Sequence, residues 1–299
     1  MAETVAAFDC GTNTVKLLVT GPDGDLVREM RMVRLGEGVD RTGRLSDEAL
    51  ARTFAAIDEY AVLVREHGAT RLRFCATSAS RDAVNADTFR AGVLERLGVE
   101  PEVVSGTEEA ALAFDGAVRH LASAPTTPVL VVDVGGGSTE LVLGDGAPTA
   151  AHSMDIGSVR LHERHVRADP PAPDEVAAIL ADVDTALDAC PVDPARAATV
   201  VGVAGTVTTI AAGVLGLDDY DRDAIDQAVL AADDVHALVE RIVAMPRAER
   251  LRQPWLHPGR ADVIDAGALI LDRVLTRSGA SSLVVSESDI LDGIAWSLR

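Results

Sequence analysis

The chain carries one short hairpin pattern twice, and that duplication restricts its fold more than any bulk property. Near the start stand Phe8-Asp9-Cys10-Gly11-Thr12-Asn13-Thr14-Val15-Lys16-Leu17-Leu18-Val19, and further on Val132-Asp133-Val134-Gly135-Gly136-Gly137-Ser138-Thr139-Glu140-Leu141-Val142-Leu143. One offset of 124 residues aligns Asp9 with Asp133, Gly11 with Gly135, Thr14 with Ser138 and Leu17 with Leu141. An acid closing an apolar strand, then a turn of glycine and hydroxyl residues, then a returning strand presents backbone N–H groups and hydroxyls to phosphate oxygens. The acid is placed to hold a cation. Two such turns facing one another suit a polyphosphate and its metal.

The order of elements repeats as well. Thr4 to Cys10, Thr14 to Thr20 and Leu26 to Leu35 read as a three-stranded meander. Ser46-Asp47-Glu48-Ala49 caps a helix running to about Glu66, with Leu50, Phe54, Ile57, Ala61 and Val64 on one face. A buried strand follows at Arg71 to Ala76, a turn into a helix at Thr77 to Arg81, a short strand at Glu102 to Val104, and a helix from Glu108 to about Leu121. After Ala124-Pro125-Thr126-Thr127-Pro128 the order recurs. Three strands span Pro128 to about Met154, a helix Pro173 to Leu187, a strand Thr199 to Ala204, and Gly205-Thr206-Val207-Thr208-Thr209 turns into another helix. Ser281 to Ser286 reads as a strand and Ile290 to Leu298 as a closing helix. The expectation is a duplicated α/β fold of two domains with the site in the cleft between them. The first domain is expected over residues 1–124, completed by the terminal helix 289–299. The second is expected over 125–288, with a helical insert at about 218–276. A chain of 299 residues is of the size expected for two domains.

Composition narrows the partners. The formal charge of −20 would repel nucleic acid and anionic membranes, so an anionic substrate must be captured locally. Of the 27 basic residues 26 are arginine, and the one lysine, Lys16, falls inside the first hairpin. A compact ammonium suits a phosphate oxygen where a guanidinium would need more room. Mean hydropathy is +0.17, but no uncharged apolar run approaches the roughly 20 residues that span a bilayer. The start lacks the basic stretch of a signal peptide, and Cys10, Cys75 and Cys190 are scattered. A soluble, cytoplasmic protein without disulfides is expected, with Cys10 and Cys75 packed in strands. His162 and His165, three apart, have no third metal ligand nearby, and Trp255 and Trp296 read as packing anchors.

Six segments resemble the exopolyphosphatase and guanosine pentaphosphate phosphohydrolase (Ppx/GppA) family, a branch of the superfamily of sugar kinases, heat-shock ATPases and actin. They are Asp9 to Thr14, Ala76 to Ala83, Ser105 to Ala110, Asp133 to Leu141, Gly157 to Leu161, and Gly205-Thr206, in order over the whole chain. The resemblance implies an actin-like, ribonuclease H-like two-domain fold that hydrolyses terminal phosphates in the interdomain cleft with Mg2+, and it implies a homodimer. It makes Glu109 the general base that activates water, and Asp133 and Glu140, with Asp9 across the cleft, the metal-binding acids. Gly11, Thr12, Asn13, Thr14, Lys16, Gly135, Gly136, Gly137, Ser138, Thr139, Gly205 and Thr206 would hold phosphate. Arg81 and Arg160 are either cleft arginines or members of structural ion pairs. Glu109 also suits the positive end of a helix, with Glu108 as its local rival. In the second half a 181-residue offset pairs Ser105 with Ser286 and puts Ile290 at the position of Glu109.

The chain departs from the family pattern at Ala111, where arginine is frequent, at Thr107, and in having no His-Asp dipeptide of the kind found in the C-terminal helical module of long members. The resemblance is therefore to a short form. The expected reaction is release of terminal orthophosphate from inorganic polyphosphate. The alternatives are hydrolysis of the 5′ phosphate of guanosine pentaphosphate or of a nucleoside triphosphate, a kinase or ATPase of the same superfamily, or a sensor without turnover. Ser286-Glu287-Ser288-Asp289 is glycine-free, unlike the adenosine motif of actin-like ATPases and sugar kinases.

Overall fold

The computed structural model describes residues 3–299, less the side chains of Ser78 and Asp82. β1 (Val5–Cys10) is buried at every residue, as its nearly unbroken apolar run requires of a strand covered on both faces. β2 (Thr14–Gly21) and β3 (Gly24–Met32) continue it antiparallel. α1 (Val39–Thr42) and α2 (Asp47–Glu66) follow, the latter capped by Ser46 Oγ, which accepts the Ala49 N–H at 3.1 Å. β4 (Arg71–Ala76) returns parallel to β1; α3 (Ser78–Asp82) and α4 (Ala86–Leu97) then lead to β5 (Glu102–Val103). The sheet order is β3-β2-β1-β4-β5.

After α5 (Gly106–Arg119) the pattern recurs. β6 (Val129–Val134), β7 (Thr139–Gly144) and β8 (Pro148–Met154) form the second meander. α6 (Ser158–His165) and α7 (Pro173–Ala189) precede β9 (Thr199–Val203), which lies parallel to β6. α8 (Ala204–Val214) and α9 (Arg222–Ile225) lead to β10 (Val229–Ala231), α10 (Ala232–Ala244), α11 (Arg247–Arg250) and α12 (Ile264–Ser278). β11 (Ser282–Val285) and α13 (Ile290–Ser297) complete the chain. The second sheet runs β10-β11-β9-β6-β7-β8, the first order repeated with one added edge strand. That strand, β10, pairs antiparallel with β11 inside the stretch read from sequence as helical. Three residues with only Leu230 buried carry too little alternation to be seen beforehand.

Two helices are exchanged between the sheets. α5, which follows the first sheet, lays Ala110, Phe114 and Ala117 on Val129, Val131, Val142, Val201 and Val203 of the second. α13, which follows the second sheet, returns Ile290, Leu291, Ile294 and Ala295 to Ala7, Leu18 and Cys75 of the first. The two helices cross at glycines, because a Cβ on Gly116 would lie 1.9 Å from the Asp289 carbonyl oxygen and one on Gly293 2.2 Å from that of Leu112. This crossing ties both sheets together directly beneath the cleft. Alanine is the better helix former by about 1 kcal/mol, so a substitution at a free helical glycine would stabilise. Gly116→Ala is expected instead to destabilise by roughly 1–3 kcal/mol, as overpacked sites do. Urea unfolding checks this; a raised midpoint would show that the helices do not meet there.

Candidate active site

Each copy of the hairpin closes by the same turn. Gly11 N–H donates to the Thr14 carbonyl at 2.9 Å, and Gly135 N–H to the Ser138 carbonyl at 3.0 Å. Antiparallel register places Asp9 directly opposite Lys16, and Asp133 directly opposite Glu140. Such partners share a face of the sheet, and these faces look into one cavity. Its walls include Asp9, Gly11, Thr12, Asn13, Thr14 and Lys16 from the first hairpin and Asp133, Gly135, Gly136, Ser138 and Glu140 from the second. Glu109, Gly205, Thr206 and Ile290 also line it. Glu109 and its counterpart in the repeat, Ile290, thus face the same space from the first turns of α5 and α13.

Four residues named from the sequence lie elsewhere. Gly137 turns its carbonyl to Arg160 Nε at 2.7 Å, and Thr139 Oγ1 donates to the Ile156 carbonyl at 2.8 Å, so both serve the turn rather than the cavity. Arg160 also donates to Asp40 Oδ1 at 2.9 Å, which makes it part of an interdomain clasp, the structural one of its two alternatives. Arg164 Nη2 joins the same carboxylate at 2.9 Å, Gly38 N–H reaches Glu163 at 3.0 Å, and Arg34 donates to Asp262 Oδ2 at 2.7 Å. Arg81 stands behind Glu109, its Nη1 at 2.9 Å from the Val104 carbonyl and 3.4 Å from Glu109 Oε2. Glu108 points away and pairs with Arg73 at 2.7 Å. His162 and His165 turn to different partners, Asp265 and Asp182.

Sequence reasoning missed one residue of the cavity wall and two that hold its side chains. Arg260 is held against the start of α8, donating to the Gly205 carbonyl at 2.9 Å and Thr209 Oγ1 at 3.0 Å. It lay in the stretch read only as helical insert. Asp289 pairs with Lys16 Nζ at 2.6 Å. Ser153 donates to Glu140 Oε1 at 2.7 Å, and a Cβ on Gly106, at the start of α5, would lie 2.5 Å from its Cβ. β8 therefore orients Glu140 and also seats the helix that carries Glu109.

The carboxylates are under electrostatic load. Burial pushes Glu109 up to about 10, helped by the charges of Glu140, Asp133 and Asp9 and opposed by Arg81. Burial raises Asp133 as well, and the Glu140 charge adds to it. Burial raises Glu140 despite the hydroxyls of Ser153 and Ser138, and raises Asp9 despite Lys16. Among the described residues no three acid, histidine or cysteine side chains are close enough to hold a metal between themselves. The donors are nevertheless the hard oxygens that suit Mg2+, which is commonly bound by one or two carboxylates with waters and substrate phosphates supplying the rest. The raised carboxylates are the groups a cation would relieve.

A family profile described as the Ppx/GppA phosphatase family matches residues 21–298. The chain is 45% identical to Exopolyphosphatase 2 of Mycobacterium tuberculosis, with 98% of each chain covered. The chain belongs to the Ppx/GppA phosphatase family. A solved exopolyphosphatase-like protein superposes with a TM-score of 0.96 at 43% identity, covering 99% of this chain and 98% of that one. The Aquifex aeolicus family member gives 0.84 at 30%, covering 100% and 98%. A guanosine-5′-triphosphate,3′-diphosphate pyrophosphatase of Vibrio atlanticus is 29% identical over all of this chain and 61% of its own. A nucleoside triphosphate hydrolase of Neospora caninum, at 11% identity and a TM-score of 0.54, covers 99% of this chain and 93% of that one and shares the fold alone. The two repeated sheets are the duplicated actin-like fold expected from the motifs, and the protein is a phosphatase by family. No helix among the described residues is long and apolar enough to cross a membrane.

The load on Glu109 has a consequence for stability. Its folded pKa is raised above the ordinary 4.5, so the folded state binds the proton more tightly than the unfolded one. Its contribution is complete below about pH 4.5 and is lost as pH rises toward about 10. Glu109→Gln in chelator-treated protein is therefore expected to melt higher than the parent at pH 8, with the gap closing near pH 4. Parallel melting curves at the two pH values check this; equal curves would show that Glu109 is not desolvated.

Proposed function

We propose that the protein is an exopolyphosphatase that removes terminal orthophosphate from inorganic polyphosphate, with Glu109 as general base. The observation that carries this reading is the position of Glu109, buried in the first turn of α5 on the wall where the two phosphate hairpins face each other. The turns Gly11 to Thr14 and Gly135 to Ser138, with Gly205 and Thr206, offer backbone N–H groups and hydroxyls to the phosphate oxygens. Lys16 and Arg260 add positive charge from opposite domains. A divalent cation, proposed as Mg2+, would be held by Asp133 and Glu140 with Asp9 across the cleft, and would supply the charge that offsets the phosphate oxyanions. Glu109 in its ionised form would accept a proton from a water that attacks the terminal phosphorus as the bond to the bridging oxygen breaks, releasing orthophosphate and leaving that oxygen on the shortened chain, with Arg81 beside its carboxylate.

A second reading, release of the 5′ phosphate of guanosine pentaphosphate, is favoured by one specific observation. A second cavity adjoins the cleft and shares Lys16, Gly205 and Arg260 with it, and Tyr220, Trp255, His257 and Glu287 also line it. Trp255, read from sequence as a packing anchor, packs in the second core and also borders this space. Aromatic walls with a half-buried carboxylate suit a base, whereas bare polyphosphate needs neither.

Orthophosphate release with Mg2+ from tripolyphosphate, long polyphosphate and guanosine pentaphosphate tests both readings. Release from polyphosphate is expected, and Glu109→Gln is expected to reduce kcat by about 10²–10⁴-fold, the usual contribution of a general base. Release from the nucleotide alone, lost in Trp255→Ala, would move the protein to the second reading. A fully active Glu109→Gln would remove the assigned base.

A further inference from the structure

Lys16 does not stand free in the cleft. Its Nζ donates to Asp289 Oδ2 at 2.6 Å and lies 3.2 Å from Asp9 Oδ2. The shorter contact is also the firmer one. Burial would raise Asp289, but the charge and hydrogen bond of Lys16, the Leu291 N–H and the charge of Arg28 outweigh it and hold its carboxyl below the ordinary range. Of the two carboxylates beside the Lys16 ammonium, the nearer and hydrogen-bonded one is that of Asp289.

Asp289 is itself fixed from three directions. As N-cap of α13 its Oδ1 accepts the Leu291 N–H at 2.9 Å. Its own N–H donates to Asp292 Oδ2 at 3.0 Å, and Asp292 is in turn bound by Arg28 of β3. Its carbonyl lies against Gly116 of α5, the helix whose first turn carries Glu109. The carboxylate is thus a rigid post, placed where the two exchanged helices cross.

From this geometry we infer that Asp289 is a positioning residue that tethers Lys16 and aims its ammonium at a substrate phosphate. The inference rests on the reading of the cleft as a polyphosphate site. An ammonium has three N–H donors. With Asp9 turned to a cation, Asp289 keeps one of them, so the flexible lysine stem stays ordered while the remaining donors face the cavity that Lys16 lines. The ordering entropy of a long side chain is met by the fold rather than by substrate binding. Lys16 also borders the second cavity, so an untethered ammonium would have two spaces to occupy.

Asp289→Asn tests this, because asparagine caps a helix as well as aspartate does but carries no charge. Asp289→Ser keeps the cap with a different side chain and guards against a folding artefact. If the residue acts by charge alone, removing a carboxylate from an acidic cleft must tighten polyanion binding and lower KM. If it acts by positioning, KM for tripolyphosphate is expected to rise about ten-fold in both variants with kcat little changed, the scale of one charge-assisted contact. The single lysine allows a direct readout. Lysine-selective 13C labelling gives one side-chain signal, which should shift and broaden in Asp289→Asn relative to the parent. In the Glu109→Gln background, where the probe is not consumed, that signal should respond to Mg2+ with tripolyphosphate. An unchanged lysine signal in Asp289→Asn, a lowered KM, a loss of melting temperature with KM unchanged, or a lysine signal indifferent to tripolyphosphate would each overturn the inference. Absence of orthophosphate release from the parent protein would instead count against the exopolyphosphatase reading, since the lysine signal is read without turnover.

Discussion

The structure turns on two cross-strand pairs at the ends of β1 and β6. Like charges directly opposite one another in an antiparallel ladder are destabilising, and burial sharpens the penalty. Asp133 opposite Glu140 is such a pair, buried on both sides. Its counterpart in the first half sets opposite charges across the ladder, Asp9 facing Lys16. The repeated hairpin thus sets an acid against a base in one half and an acid against an acid in the other. The cleft is chemically asymmetric although the two sheets share one strand order.

The exchange of α5 and α13 makes this asymmetry useful. Because α5 leaves the first sheet to pack on the second, its first turn emerges between the hairpins and brings Glu109 to the cavity wall; α13, making the reverse journey, brings Ile290. One of these equivalent positions carries a carboxylate and the other an apolar side chain. The crossing at Gly116 and Gly293 fixes both first turns relative to each other. On the outer side, Asp40 with Arg160 and Arg164, Gly38 with Glu163, and Arg34 with Asp262 join the domains across the mouth. These are partly exposed contacts of modest individual strength.

How far this was legible follows from what kind of signal each part leaves. The hairpins are local, so Asp9, Lys16, Asp133 and Glu140 could be named from one offset, and their register follows from the turn. Capped helices and buried strands of five or more residues were also readable; β4 runs over the same Arg71–Ala76 expected from the sequence. What sequence does not carry is the partner of a side chain distant in the chain. Asp289 reaches Lys16 across 273 positions, and Arg260 reaches Gly205 across 55. Ser153 was hidden because a serine on a half-buried strand looks like any other until the α5 start closes on it. Arg160 was ambiguous for the opposite reason. Its place in the family-like segment Gly157 to Leu161 is visible in the sequence, but its commitment to Asp40 and the Gly137 carbonyl is not.

The net charge of −20 and the buried acids of the cleft act in the same sense against a polyanion. Lys16 is already matched by Asp289, and burial lowers the pKa of Arg260, which shows how costly its charge is where it stands. A bare phosphate chain therefore meets little net attraction from the side chains, and backbone N–H groups alone do not offset several carboxylates. The balance changes when phosphate arrives with its cation. Such a complex carries less negative charge, and a cation on it would offset part of the charge that Asp133 and Glu140 bring to the cavity. On this argument the acids of the cleft would favour a phosphate chain that arrives with a cation over the bare polyanion.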